Sequence, residues 1–174
     1  MNHLYIFVEG ARDRIVFDNL FGKKLSLLGQ EYDIVEYSTK KVEKINNFIK
    51  SIKSIDGCDY IFVGDQDGNI NKKAKILSKY SCLEEEKVFI SIFEIESWII
   101  SGISNKLLKK YKIKFSYTDT SAITKEMFEN IVPEHVSVLE FISYIIDDFD
   151  VDKSLELNSS FNQLYNYLNA KKAS

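Results

Sequence analysis

Leu4-Tyr5-Ile6-Phe7-Val8-Glu9-Gly10 and Tyr60-Ile61-Phe62-Val63-Gly64-Asp65-Gln66-Asp67-Gly68 share one design, an apolar run that ends in carboxylates beside glycine. Four or five consecutive apolar residues mark a strand buried in a parallel sheet, and the glycine next to each acid lets the chain turn sharply. The acids therefore fall at strand ends. Ligands of open α/β sheets bind at that edge, and neighbouring strands run about 5 Å apart, so acids on two such strands can converge on one point. An all-oxygen site of that kind suits magnesium.

Working outward, residues 13–28 carry Ile15, Val16, Leu20, Phe21 and Leu25 at the spacing of a helix with one buried face. Residues 32–37 read as a second strand, 42–52 as a helix through Val42, Ile45, Ile49 and Ile52, and Asp56-Gly57 as a turn. After the third strand, 60–63, come a polar loop, a helix over 71–80 and a fourth strand over 87–93. This alternation predicts an α/β fold: βαβ units, right-handed crossovers and a mainly parallel four-stranded sheet with helices on both faces. From Glu94 onward the pattern is helical, with helices predicted over 125–131, 138–146 and 161–168 and an acidic loop over 147–152. Asn158, Ser159 or Ser160 is placed to cap the last helix. The charge balance divides the chain into a core over 1–114 and a helical carboxy-terminal extension over 115–174, packed on the same domain.

A chain of 174 residues, 45% hydrophobic and 28% charged, has the composition of a globular domain with a full core. Cys58 and Cys82 follow no ligand spacing and imply no disulfide framework. Met1-Asn2-His3 leads directly into a strand without a basic segment, and the longest apolar stretch, 88–103, contains Glu94 and Glu96. Neither a secretory signal nor a membrane span is expected, which points to the cytoplasm.

The net charge of −3 is unevenly spread, because residues 115–174 hold ten carboxylates against four lysines and leave the preceding part at +3. Lys40, Lys41, Lys44, Lys72, Lys73, Lys75, Lys79 and the lysine-rich stretch 106–114 surround the candidate acids in sequence. A phosphate backbone would be attracted there. Lys72, Lys73, Lys106, Lys109 and Lys110 are the candidate nucleic-acid contacts, with DNA favoured over RNA; a solvated helix face is the plain alternative for the last three.

Three acidic pairs form the candidate site. Glu9 and Asp13 stand four residues apart across a strand-to-helix turn, where both can face one cavity, or where Asp13 can simply cap the helix. Asp65 and Asp67 occupy alternate positions and reach the same side of the sheet edge, unless they only form a polar turn. Gly68 falls at the fourth position of that loop and Ile76 stands at the closing position, so it is not an EF-hand. Glu94 and Glu96 end the fourth strand. Two carboxylates about 5 Å apart repel by roughly 3 kcal/mol at an effective dielectric of 20, a cost that a hard cation removes. Oxygen-only ligands, with neither His3 nor His135 within these acidic motifs, favour Mg²⁺ or Mn²⁺ over zinc.

These residues, over roughly 4–100, resemble the Toprim fold of topoisomerases, primases and OLD-type nucleases: a strand into Glu9-Gly10 with Asp13, then a strand into Asp65-Gln66-Asp67. The Glu94 and Glu96 pair before Trp98 looks more like the OLD-type nucleases and small phage-defence relatives than the topoisomerases. The resemblance implies Glu9, Asp65 and Asp67 as core metal ligands, with Asp13 and one of Glu94 or Glu96 completing a second site. It also implies a metal-dependent nuclease that hydrolyses phosphodiesters with two cations, in defence against phage or mobile DNA. OLD-type nucleases carry an ATPase in the same polypeptide. No Gly-x-x-x-x-Gly-Lys loop occurs here, so the expected ATPase is a separate partner chain, and a homo-oligomer stays open.

Two other readings compete. Asp65-Gln66-Asp67-Gly68 also resembles the nucleophile motif of haloacid-dehalogenase phosphatases, with Asp65 as nucleophile and Asp147-Asp148 as a late acidic pair. That reading puts Asn69 where a hydroxyl is needed and leaves Glu9-Gly10 without a role. The third reading is a non-catalytic binding module that uses its sheet edge and lysines.

Overall fold

The computed structural model describes residues 3–66, 69–91 and 94–170. Its architecture follows from β1 (His3–Val8), which pairs in parallel on both sides. On one side lies β2 (Glu31–Glu36), matched from His3↔Glu31 to Val8↔Glu36; on the other lies β3 (Cys58–Asp65), matched from His3↔Cys58 to Phe7↔Phe62. β4 (Val88–Ser91) follows β3, so the sheet order is β2-β1-β3-β4. A strand with neighbours on both edges and helices on both faces has no polar side to present, and Leu4, Ile6, Phe7 and Val8 are all buried.

The chain moves one way from β1 to β2 and back past β1 to β3, so right-handed crossovers place α1 (Ala11–Leu27) and α2 (Val42–Lys53) on opposite faces. Ile45, Ile49 and Ile52 recur at helical spacing on α2 and join Phe7, Tyr60, Phe62 and Val88 in one apolar cluster. α3 (Lys72–Lys79) adds Ile76 to the same cluster. α1 buries Val16, Phe17, Phe21 and Leu25. The Toprim-like α/β architecture expected from the sequence is therefore the one the chain adopts, with α1 and α2 within a residue or two of their predicted bounds.

The differences have local causes. β3 continues to Asp65, two residues beyond the predicted run, because Gly64 keeps extended backbone inside the sheet. The acidic stretch expected as a loop over 147–152 gives way to α8 (Val151–Leu157), since the Asp150 carboxylate accepts the Lys153 amide at 3.0 Å and caps the helix. No described helix is long and apolar enough to cross a membrane.

The chain forms two compact units that divide within β4, one running through Ile90 and the other covering Ser91–Asn169. The second is helical: α4 (Glu96–Ser101), α5 (Asn105–Lys110), α6 (Lys125–Glu129), α7 (Val138–Asp147), α8 and α9 (Ser159–Ala170). Its interior holds a polar knot around the fully buried Asn158. The Asn158 amide donates to the Ser97 carbonyl and to the Ser97 and Thr120 hydroxyls at 3.2–3.3 Å. Its oxygen accepts from the Ser160 hydroxyl at 2.8 Å and from the Phe161 amide at 3.0 Å, which makes Asn158 the cap of α9. Ser160 in turn accepts the Trp98 indole N–H at 2.8 Å. One side chain thus ties α4 to the start of α9. Asn158→Ala strands several of these buried groups, and about 3 kcal/mol of stability should be lost in urea unfolding; a change below about 0.5 kcal/mol would show that the knot carries no weight.

Candidate functional site

The carboxyl edge of the first unit is built by the sheet register. Beyond Val8↔Glu36, the Tyr37 amide donates to the Val8 carbonyl at 2.9 Å and the Ser38 amide to the Glu9 carbonyl at 3.1 Å, so β2's chain keeps step with β1's. Tyr37 is thereby set beside Glu9. Its ring is buried and stacks on Phe62 with centroids 4.3 Å apart, and its hydroxyl donates to Glu9 Oε2 at 3.5 Å. Gly64 makes this placement sterically cheap: a Cβ there would lie 3.2 Å from the Tyr37 hydroxyl and 2.9 Å from Ile76 Cδ1.

Burial, reinforced by the negative charge of Glu9 and, more weakly, of Asp65 and Asp13, pushes the Tyr37 hydroxyl above the ordinary phenol range. Three carboxylates from three chain segments act on one hydroxyl, which stays a donor at neutral pH. Glu9 follows directly on β1, Asp13 sits in the first turn of α1, and Asp65 is the last residue of β3. Asp13 takes the capping alternative: its carboxylate accepts the Gly10 amide at 2.8 Å at the start of α1. Lys72 Nζ lies 3.9 Å from Glu9 Oε2, with both side chains partly exposed.

Asp67 lies outside the described residues. Glu94 and Glu96 belong to the second unit. The Glu94 carboxylate accepts the Lys125 amide at the start of α6, and Glu96 is buried in the first turn of α4. Among the described residues, no group of three or more His, Cys, Asp or Glu is close enough to hold a metal ion. Glu9 is engaged by Tyr37 and Lys72, and Asp13 by the Gly10 amide. Glu9, Asp13 and Asp65 would offer only carboxylate oxygen, a donor type suited to a hard cation and not a soft one, but the described residues do not bring three such groups together.

Of the candidate nucleic-acid contacts, Lys72 and Lys73 open α3 in the first unit. Lys106, Lys109 and Lys110 lie on α5 in the second. Lys106 is highly exposed and 4.0 Å from Asp148, whereas the Lys110 ammonium sits over the Tyr111 and Tyr144 rings at 4.8 and 5.3 Å. A cavity of about 320 Å³ adjoins Glu9, walled by Tyr37, Asn69, Tyr80 and α3. A larger one, about 550 Å³, opens at the opposite edge of the sheet, but its lysines are already committed: Lys53 to Glu84 at 2.6 Å, and Lys87 to Glu84 and Asp59 at 2.7 and 2.9 Å. Sequence reading missed Tyr37, because an aromatic residue closing a strand looks like core until its neighbours are known.

No protein-family model and no curated protein matches the sequence. Among solved structures, the C-terminal region of the Burkholderia pseudomallei OLD protein aligns over 99% of both chains with a TM-score of 0.52 and 14% identity. The corresponding region of the Xanthomonas campestris pv. campestris OLD protein aligns over 98% of this chain and 95% of that one, with a TM-score of 0.41 and 11% identity. The first likeness is one of fold. This chain has the architecture of an OLD protein C-terminal region, as its motifs suggested.

Tyr37 yields a pH prediction. A raised folded-state value means that the native protein holds the proton after the unfolded chain releases it, so this stability is intact below the unfolded tyrosine value near pH 10 and is lost above it. Tyr37→Phe should flatten the fall in stability above about pH 10 while changing neutral-pH stability by only about 1 kcal/mol. Denaturant unfolding at both pH values reads this, and an unaltered alkaline slope would contradict it.

Proposed function

We propose that the chain is a metal-dependent nuclease that hydrolyses phosphodiester bonds at the carboxyl edge of its sheet. The observation that carries this reading is the placing of Glu9 just past β1 and Asp65 at the end of β3, with Asp13 in the first turn of α1, on a fold shared with an OLD protein C-terminal region. In this reading Glu9, Asp13 and Asp65 hold Mg²⁺ or Mn²⁺, and Asp67 joins them. Bound cations would supply an activated water and stabilise the leaving oxygen of an in-line displacement.

The protein's own groups have distinct tasks. Tyr37 keeps its proton and fixes the orientation of Glu9, while Gly64 leaves room for that hydroxyl. Lys72 balances the charge of Glu9 and lies where a phosphate approaching the edge would meet a cation. The resemblance also assigns one of Glu94 and Glu96 to a second metal, a role that comparing Glu94→Gln with Glu96→Gln would separate. A defence role, and an ATPase acting from another chain, belong to the same proposal. The similar Burkholderia structure is itself one region of an OLD protein.

The test is cleavage of plasmid, linear and single-stranded DNA and of RNA with Mg²⁺ or Mn²⁺. At least one substrate should be cut, and Glu9→Gln or Asp65→Asn should slow cutting by about 10²-fold or more, the scale of losing one preorganised charge-stabilising group. Uncut substrates, or variants as fast as the parent, would overturn the nuclease reading.

A further inference from the structure

Lys72, Lys75 and Lys79 occupy positions i, i+3 and i+7 of α3 and therefore share one face of the helix. That face lines the 320 Å³ cavity next to Glu9. Lys72 is drawn toward Glu9, and the Lys79 ammonium sits 5.2 Å from the centroid of the Tyr80 ring. Lys75 and Lys79 have no carboxylate partner among the described residues, and both residues are exposed. The lysines that line the cavity at the opposite edge are, by contrast, tied to Glu84 and Asp59. Unpaired positive charge is thus kept on the wall that leads away from the carboxylates.

We infer that this face of α3 is a phosphate track, which takes the sugar-phosphate backbone of a nucleic-acid strand and delivers it to Glu9. The inference rests on the nuclease reading and names the surface that holds its substrate. From Lys72 to Lys79 the helix rises by about 10 Å, long enough to face more than one phosphate of a single strand. The cavity has the volume of about ten waters, room for one backbone unit to settle against the edge. The nearest lysine, Lys72, meets the phosphate beside the reacting bond. Lys75 and Lys79 meet phosphates progressively farther along. The wall offers ammonium groups and an Asn69 amide with no arginine fork, so the track reads backbone charge and no base identity.

The test is binding of a fluorescein-labelled single-stranded DNA 20-mer across a salt series, read in EDTA and in Ca²⁺. Lys75→Gln/Lys79→Gln is compared with the parent and with Lys23→Gln/Lys50→Gln, two exposed lysines elsewhere in the first unit. Each lost phosphate contact lowers the slope of log K against log salt by about 0.7 for a single strand, so the track variant should lose about 1.4 while the control keeps the parent slope. Unchanged melting temperatures establish that all three chains are folded. A track variant with the parent's affinity and slope would overturn the track and leave the nuclease reading standing. A parent that binds no strand in either buffer would likewise overturn the track, and the nuclease reading would then stand or fall on the cleavage test alone.

Discussion

The parallel pairing of β1 with β2 on one side and β3 on the other is the constraint on which the rest depends. With Phe7 level with both Val35 and Phe62, the three chains reach the carboxyl edge together. Glu9 and Tyr37 then meet although they are far apart in sequence, and Asp65 ends β3 at the same edge. A slip of one residue in either pairing would turn each side chain to the opposite face and disperse the group. The stack of Phe7 on Phe62, and of Phe62 on Tyr37, helps to fix that register, because ring contacts at 5.9 and 4.3 Å on one face of the sheet are lost when a strand shifts.

Holding acids together at a sheet edge costs free energy, and the surrounding residues show how that cost is met. The Tyr37 hydroxyl, buried and kept protonated, gives Glu9 a neutral donor that adds no competing charge. The Gly10 amide serves Asp13 in the same way from the first turn of α1, where the helix dipole also favours a carboxylate. A small residue makes the first arrangement possible, since Gly64 leaves room for the tyrosine hydroxyl.

What could be read from sequence was whatever depends on burial. The unbroken apolar runs of β1 and β3 announce central strands, and the isoleucines of α2 announce a covering helix. The alternation Glu31-Tyr32-Asp33-Ile34 in β2 suits the edge position that the strand occupies. The position of Glu9 and Asp65 at strand ends was legible for the same reason, since a strand end is visible from either side of it. Strand order was not, because no residue of β2 states which edge of β1 it will take. The destination of Tyr37's hydroxyl was hidden with it. α8 was missed through the opposite error, when Asp150 was counted as loop charge although its position before Val151 and Lys153 is that of a capping residue.

The Lys72 and Glu9 pair connects stability to the proposed function. At 3.9 Å, with the lysine 22% and the glutamate 43% exposed, the pair is a solvent-screened contact worth less than about 1 kcal/mol. A buried ion pair would lock Glu9 away from any other partner, since parting it strands a desolvated charge. This one can exchange at little cost. Under the proposed function, a cation at Glu9 would repel the ammonium, and Lys72 would then be free to meet a phosphate instead. Acidic edge and basic helix are thereby one device: the chain as a whole is anionic, yet the surface beside its carboxylates is graded from negative at Glu9 to positive along α3. Under the proposed function that gradient would hold a polyanion along α3 and keep it off the acids until a cation neutralised them, which bulk charge alone would not predict.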